Sequence, residues 1–326
     1  MASASNINGQ LPALNTRVSA AVRDPEPRLL LPGTTPAGSR TRSEGVGNPL
    51  IICFHGSGET CSPSWDDLVA KLLAETHCRV LHYDRGPGNL RAADVAAQMW
   101  DSVCGTRNPR SENESLRDES AAQDESGLNG PYLLVAHSYG GAFARAFVQH
   151  ERFMSRRQWW KSGTANRVLG LVLVETGQEG GLDAALDEQQ IRNTIMGDRP
   201  VCVIRGNSLI GKWAELEKKE KAMDTPEAGM ENAAMRRQVL AAEREMLLRI
   251  DAEDERLKRR QLGLSRNSRF VHVPDCGHHV IRDRPDEVVA AVRWVLENAE
   301  AEEEKVSAWK RTWGRMKAIV PTAVIR

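Results

Sequence analysis

The chain has 326 residues, of which 40% are hydrophobic, and its 44 Lys and Arg residues balance its 44 Asp and Glu residues. This length is sufficient for a sizeable core, in one large domain or in two smaller ones. Because the formal net charge is zero, no overall field attracts nucleic acid, and we expect no nucleic-acid partner.

The composition does not suggest a cofactor, a membrane span or a disulfide framework. The six cysteines are dispersed without a CxxC pair, which favours buried free thiols in a reducing, cytoplasmic setting. No apolar run reaches the roughly 20 residues of a membrane span. The sequence has no metal-ligand spacing and no dinucleotide-binding glycine fingerprint, so we expect neither a metal nor a cofactor.

Residues 1–48 are predicted to form a mostly disordered N-terminal segment, with a short edge strand at Arg28 to Leu31. Residues 2–22 are rich in Ser, Ala and Asn and carry one charged residue, Arg17. This composition favours a disordered tail, and a transit peptide is the alternative.

The ordered domain is predicted over residues 49–300 and opens with an apolar strand, Leu50 to Phe54. The strand leads directly into His55-Gly56-Ser57-Gly58-Glu59. Such a turn at the carboxyl end of a parallel strand leaves backbone N–H groups free to face an anion, as an oxyanion hole requires. We predict the N–H of Ser57 as a donor; the alternative is an ordinary turn between strand and loop.

The next elements alternate between helix and strand. An amphipathic helix is predicted over Trp65 to Ala74, a strand over Arg79 to Tyr83 and a helix over Ala92 to Val103. This alternation predicts an α/β fold: a mostly parallel central sheet with right-handed crossovers, covered by helices on both faces. Residues 105–130 are polar and lack an apolar face, so we predict a flexible insertion there.

The stretch from Pro131 to Phe147 contains the most informative motif. An apolar strand, Tyr132 to Val135, is followed by Ala136-His137-Ser138-Tyr139-Gly140-Gly141 and then by helical spacing from Ala142. Strand, tight turn and helix form the setting of a nucleophile elbow, whose apical Ser exposes its Oγ. The alternative is a helix N-cap Ser beside turn glycines.

Two further buried strands are predicted at Val168 to Val174 and Pro200 to Ile204. Residues 210–261 are highly charged and are predicted to form two helices with a narrow apolar stripe. The stripe favours a lid over the site, with an interaction surface as the alternative. Residues 301–326 are predicted to form a basic, Trp-bearing helical tail, for which packing on the domain is favoured over contact with a membrane surface.

The last strand, Arg269 to Val273, leads into a loop that contains Gly277, His278 and His279, and a helix is predicted from Pro285. His278 follows a strand end, where it could reach the hydroxyl of Ser138 across neighbouring strands. His279 is expected to be exposed.

The motifs around His55, Asp84, Ser138 and His278 occur in the order that resembles the α/β-hydrolase superfamily, over roughly residues 49–297. The resemblance implies a serine hydrolase with Ser138 as nucleophile and His278 as general base. It also implies that the N–H groups of Ser57 and Tyr139 form the oxyanion hole.

The triad acid departs from the common pattern of this superfamily. The acid commonly lies a few residues after the strand that is here Val201 to Ile204, but residues 205–210 contain no carboxylate. Glu175 directly follows the preceding strand and is the predicted acid, because a buried carboxylate must accept from the imidazole Nδ1–H. Asp183 and Asp198 are the alternatives.

The predicted reaction cleaves an ester, thioester or lactone of a small acyl substrate through an acyl-enzyme on Ser138. Two alternatives use the same fold. One is acyl transfer or C–C cleavage at the same site, and the other is a non-catalytic binding protein.

Overall fold

The computed structural model describes residues 28–30, 48–84, 91–104, 130–162, 168–177, 182–223 and 233–319. Within them seven strands form one sheet in the order β1-β3-β2-β4-β5-β6-β7. The strands are β1 (Arg28–Leu30), β2 (Leu50–Phe54), β3 (Arg79–His82), β4 (Tyr132–His137), β5 (Val168–Val174), β6 (Val201–Arg205) and β7 (Ser268–His272). In this sheet β1 pairs antiparallel to β3, and the other pairs are parallel.

In the described part of the chain, eight α-helices connect and follow these strands. They are α1 (Asp66–Thr76), α2 (Ala92–Cys104), α3 (Gly140–Ser162), α4 (Ala184–Arg192), α5 (Ile210–Met223), α6 (Ala233–Arg260), α7 (Val280–Asp283) and α8 (Pro285–Ile319). The predicted α/β fold with a mostly parallel sheet is therefore confirmed.

The central strands are apolar throughout because both faces of the sheet are covered. Successive residues of β4 point to opposite faces, as in any strand. Leu134 packs with Met99 of α2 and Phe143 of α3, whereas Leu133 belongs to a second core with Leu72 of α1 and Val292 of α8. This double burial explains the continuous apolar run that the sequence shows before the Ser138 turn.

The charged insertion between β6 and β7 forms the two packed helices α5 and α6. Ion pairs between Lys219 and Glu243 and between Glu220 and Arg244 join them. Five apolar residues of α6 are exposed: Met235, Val239, Met246, Leu248 and Ile250. Towards the end of the helix Asp254 and Lys258 are buried, whereas Arg256, Arg259 and Arg260 are exposed.

Some predictions lie outside the described residues or differ from the structure in detail. Residues 105–129, predicted as a flexible insertion, lie outside the described part of the chain. Helix α4 was not predicted. Helix α8 continues through residue 300, where the sequence suggests that the domain ends and the tail begins. Among the described helices, none is long and apolar enough to cross a membrane.

Candidate active site

Ser138 lies at a sharp turn between β4 and α3. Its φ angle is 52°, in the left-handed region that residues other than Gly rarely adopt. Its N–H donates to the carbonyl of Val174 at 3.0 Å, and its own carbonyl accepts from the N–H of Gly141 at 2.9 Å. This is the strained strand–turn–helix geometry expected of a nucleophile elbow.

Gly140 makes the turn sterically feasible. A Cβ at this position would lie 2.0 Å from the carbonyl oxygen of Phe54, which no side chain can tolerate. The first turn of α3 therefore packs directly against the end of β2. This contact brings the loop after β2 next to Ser138.

The loop after β2 approaches Ser138 at Gly56, where an added Cβ would lie 3.1 Å from Ser138 Cβ. Ser57 follows in an exposed turn. Among the described residues, neither the N–H of Ser57 nor that of Tyr139 is engaged in a hydrogen bond. Both predicted oxyanion donors are thus unpaired N–H groups beside the Ser138 turn.

His278 and Glu175 are in contact. The distance between His278 Nδ1 and Glu175 Oε2 is 3.0 Å, although 103 residues separate them in the chain. The Glu175 side chain is fully buried, while that of His278 is 38% exposed. The imidazole is therefore held by a buried carboxylate at Nδ1 and is partly accessible to solvent.

Four donors surround the carboxylate of Glu175. Besides His278, they are the N–H of Gly206 at 2.6 Å, the hydroxyl of Ser208 at 2.5 Å and the ammonium of Lys258 at 3.4 Å. Burial would raise the pKa of Glu175, but these donors outweigh it and lower the pKa to about 2. The acid is ionised at any physiological pH.

Neither Ser208 nor Lys258 was found by sequence reasoning. Ser208 lies in the segment after β6, where the sequence lacks the expected carboxylate. Its hydroxyl donates a hydrogen bond to Glu175. Lys258 lies in a run of charged residues on α6. No feature of that run distinguishes a buried Lys from exposed ones, so only the tertiary structure could identify it.

The two alternative acids have other partners. Asp183 caps the N-terminus of α4 and accepts from the backbone N–H groups of Ala185 and Leu186. Asp198 forms a bidentate ion pair with Arg266 at 2.6 and 2.7 Å. Of the three candidates, the structure brings Glu175 to His278.

Ser138 and His278 lie at the same edge of the sheet, where the parallel strands end. His137, which precedes Ser138, has its ring centroid 4.8 Å from that of His278, and its Nε2 lies 2.9 Å from the His278 carbonyl oxygen. Within the described part of the chain, Ser138 Oγ makes no hydrogen bond, to His278 or to another group. His278 is therefore hydrogen-bonded to Glu175 but not to Ser138, and the contact between Ser138 and His278 is open in this sense.

Glu59, which sequence reasoning did not select, lies between two other histidines. Its Oε1 is 3.2 Å from His279 Nδ1, and its Oε2 is 3.4 Å from His137 Nδ1. His279 is therefore half-buried and in contact with a carboxylate, whereas the sequence predicted an exposed side chain. Three imidazoles and two carboxylates converge at this edge of the sheet.

A mostly parallel sheet with Ser at a sharp turn after one strand and His after the last strand is the architecture of an α/β hydrolase. The sequence profile of the Alpha/beta hydrolase family matches residues 51–291 of the chain. The chain belongs to the α/β-hydrolase family.

Individual relatives are distant. The chain is 26% identical over 302 residues to a Hormonema carpetanum protein described as "Probable transporter efuK"; the match covers 78% of this chain but 40% of that protein's length. An esterase structure from Thermogutta terrifontis is 19% identical, with a TM-score of 0.39 and coverage of 78% of this chain and 91% of that one. The thermostable carboxylesterase EstE1, from a metagenomic library, is 12% identical, with a TM-score of 0.45 and coverage of 84% and 85%. The family assignment rests on the profile match, and these likenesses add nothing to it.

Proposed function

We propose that the protein is a serine hydrolase that cleaves an ester, thioester or lactone through an acyl-enzyme on Ser138. The observation that carries this proposal is the 3.0 Å contact between His278 Nδ1 and Glu175 Oε2 beside the strained turn of Ser138. His278 is the general base, Glu175 orients it, and the N–H groups of Ser57 and Tyr139 bind the oxyanion.

The proposed reaction has two halves. In the first, Ser138 Oγ attacks the carbonyl carbon while His278 Nε2 takes its proton, and His278 then returns this proton to the leaving alcohol or thiol. In the second, water attacks the acyl carbon and gives a proton to His278, which protonates Oγ as the acid departs. The buried carboxylate of Glu175 keeps the other ring proton on Nδ1, so that Nε2 is the basic nitrogen.

The open contact between Ser138 Oγ and His278 is compatible with this mechanism. Catalytic hydrogen bonds are often long in the absence of substrate and tighten in the substrate complex. The same open contact also favours the second candidate, a non-catalytic binding protein on this fold. The two candidates differ in whether Ser138 becomes acylated.

The proposed substrate is a small acyl compound, and the proposed location is the cytoplasm. The location is supported by the cysteines. Five of them are buried and form no disulfide bond (Cys53, Cys61, Cys78, Cys202 and Cys276), and reduced thiols persist in reducing compartments.

The test is covalent labelling of the purified full-length chain by a fluorophosphonate, followed by turnover of short and long p-nitrophenyl esters. We expect labelling of the intact chain and of the control Ser102→Ala, whose hydroxyl bonds to a helix carbonyl on α2. Ser138→Ala should abolish labelling and reduce ester turnover at least about 1,000-fold. Absence of labelling in the intact, folded chain would favour the binding protein.

A further inference from the structure

Glu59 connects the three loops that carry the proposed active site. It belongs to the loop after β2, which supplies the Ser57 N–H, and it contacts His137 at the Ser138 turn and His279 beside His278. A Cβ added at Gly56 would lie 3.1 Å from Ser138 Cβ, 3.3 Å from Glu59 Oε2 and 3.4 Å from His137 Nδ1. Ser138, Glu59 and His137 are thus all close neighbours of Gly56.

The contacts of His137 determine where its protons lie. Its Nε2 faces the backbone carbonyl oxygen of His278 at 2.9 Å. A carbonyl oxygen only accepts hydrogen bonds, so Nε2 carries a proton. In a neutral imidazole the other nitrogen, Nδ1, would then be an acceptor with a lone pair.

Nδ1 of His137 faces another acceptor, Glu59 Oε2, at 3.4 Å. Both atoms are buried, and neither makes a hydrogen bond of good geometry, to the other or to any further group in the described part of the chain. Without a proton between them, two acceptors would face each other in a site shielded from water, which is costly. One proton must therefore be held between Nδ1 and Oε2.

The surroundings favour His137 as the holder of this proton. The close contact with His137 is the main cause that lowers the pKa of Glu59, against the opposing effect of burial. Among the described residues, the other charged or titratable groups that act on Glu59 include His278, His279 and Arg282 of α7. Within the described residues, no group of three or more His, Cys, Asp or Glu residues is arranged to hold a metal ion, so a proton is the simplest occupant.

We infer that Glu59 and His137 form a buried carboxylate–imidazolium pair, and that this pair positions the loops of the nucleophile, the oxyanion donor and the base relative to one another. The imidazolium donates to both sides: Nδ1–H to Glu59 and Nε2–H to the His278 carbonyl. Fixing this carbonyl fixes the backbone from which the His278 ring extends towards Ser138. Glu59 and His137 are positioning residues, and their kinetic role rests on the function proposed above.

The protonation state is tested by NMR, without any activity measurement. In protein with ¹⁵N-labelled histidine rings, long-range ¹H–¹⁵N spectra distinguish protonated from unprotonated ring nitrogens. We expect a ring with both nitrogens protonated in the folded chain, assigned to His137 by its loss in His137→Asn. In Glu59→Gln the amide can donate to Nδ1, so His137 should become neutral with its proton on Nε2 alone. A neutral His137 ring in the intact chain would overturn the inference.

The positioning role is tested by kinetics. Glu59→Leu removes the partner of both histidines and should lower kcat about 10- to 100-fold with little change in KM, the loss expected when a base is misplaced by about 1 Å. Glu59→Gln restores one hydrogen bond and should recover part of kcat. Glu253→Gln, which removes an exposed carboxylate paired with Arg256, is the control and should match the intact chain.

The outcomes separate the two proposals. If fluorophosphonate labels Ser138 but Glu59→Leu leaves kcat unchanged, the positioning role is wrong and the serine hydrolase stands. If Ser138 is not labelled, the hydrolase proposal fails, while the NMR experiment still decides whether the buried ion pair exists.

Discussion

Lys258 carries a buried charge that lies beside two carboxylates. Its side chain is 2% exposed, and its ammonium is hydrogen-bonded to Asp254 and lies 3.4 Å from Glu175 Oε1. We predict that Lys258→Met, which keeps the length of the side chain and removes the charge, strongly destabilises the protein.

The magnitude follows from what remains after the ammonium is removed. Breaking a buried ion pair by deleting one partner costs about 3 to 5 kcal/mol, because the other charge stays buried. Here both carboxylates keep other donors: Asp254 retains Arg205 Nε at 2.8 Å, and Glu175 retains Gly206, Ser208 and His278. We therefore expect the lower end, a loss of about 3 kcal/mol in the free energy of unfolding.

The assay is urea unfolding at pH 7, followed by circular dichroism. Lys221→Met is the matched control, because Lys221 lies on the neighbouring helix α5 in an exposed i,i+4 pair with Glu217; it should change the free energy of unfolding by less than about 0.5 kcal/mol. A Lys258→Met variant within about 1 kcal/mol of the intact chain would refute the argument that the buried charge is required.

Two further predictions concern Gly140 and the acid. Gly140→Ala places a Cβ 2.0 Å from the Phe54 carbonyl oxygen and should cost about 3 kcal/mol or more. Gly211→Ala, with no atom within 4 Å of the new Cβ, should leave the stability unchanged or raise it by up to about 1 kcal/mol; equal midpoints for the two in thermal unfolding would contradict the steric argument. The folded pKa of Glu175, about 2 against an ordinary 4.5, corresponds to about 3 kcal/mol that is fully present above pH 4.5 and is lost as the pH falls towards 2. The stability difference between the intact chain and Glu175→Gln should shrink by that amount between pH 6 and pH 2 in urea titrations, and a pH-independent difference would contradict the assignment.

The sequence predicted the strands well because the central sheet is buried on both faces. The apolar run Val168–Val174 coincides with β5 in the structure, since glycines and polar residues mark both of its ends. Helix α4 was missed because its apolar residues are sparse, yet its signal was present. Asp183 precedes it and caps it, as Asp often does at a helix N-terminus.

The site was predictable only where its residues sit in local motifs. Ser138, Ser57 and Tyr139 follow strands within recognisable turns, so their position at one edge of the sheet follows from the parallel topology. Glu59 and Lys258 have no such signal. Their roles depend on contacts with residues far away in the chain, to His279 and Glu175, which no local pattern encodes.

The proposed acid, Glu175, lies in an unusual place and depends on the donors that surround it. In the superfamily that the sequence resembles, the acid commonly follows the strand that is here β6, and in this chain that segment instead provides two donors, the N–H of Gly206 and the hydroxyl of Ser208. Glu175 lies at the end of the neighbouring strand β5, with a φ angle of 53°, and it is fully buried, so its charge needs more compensation than an exposed acid would. The β6 segment and Lys258 of α6 supply this compensation together, which ties the helical insertion to the acid. The C-terminal end of the insertion is therefore part of the proposed catalytic apparatus.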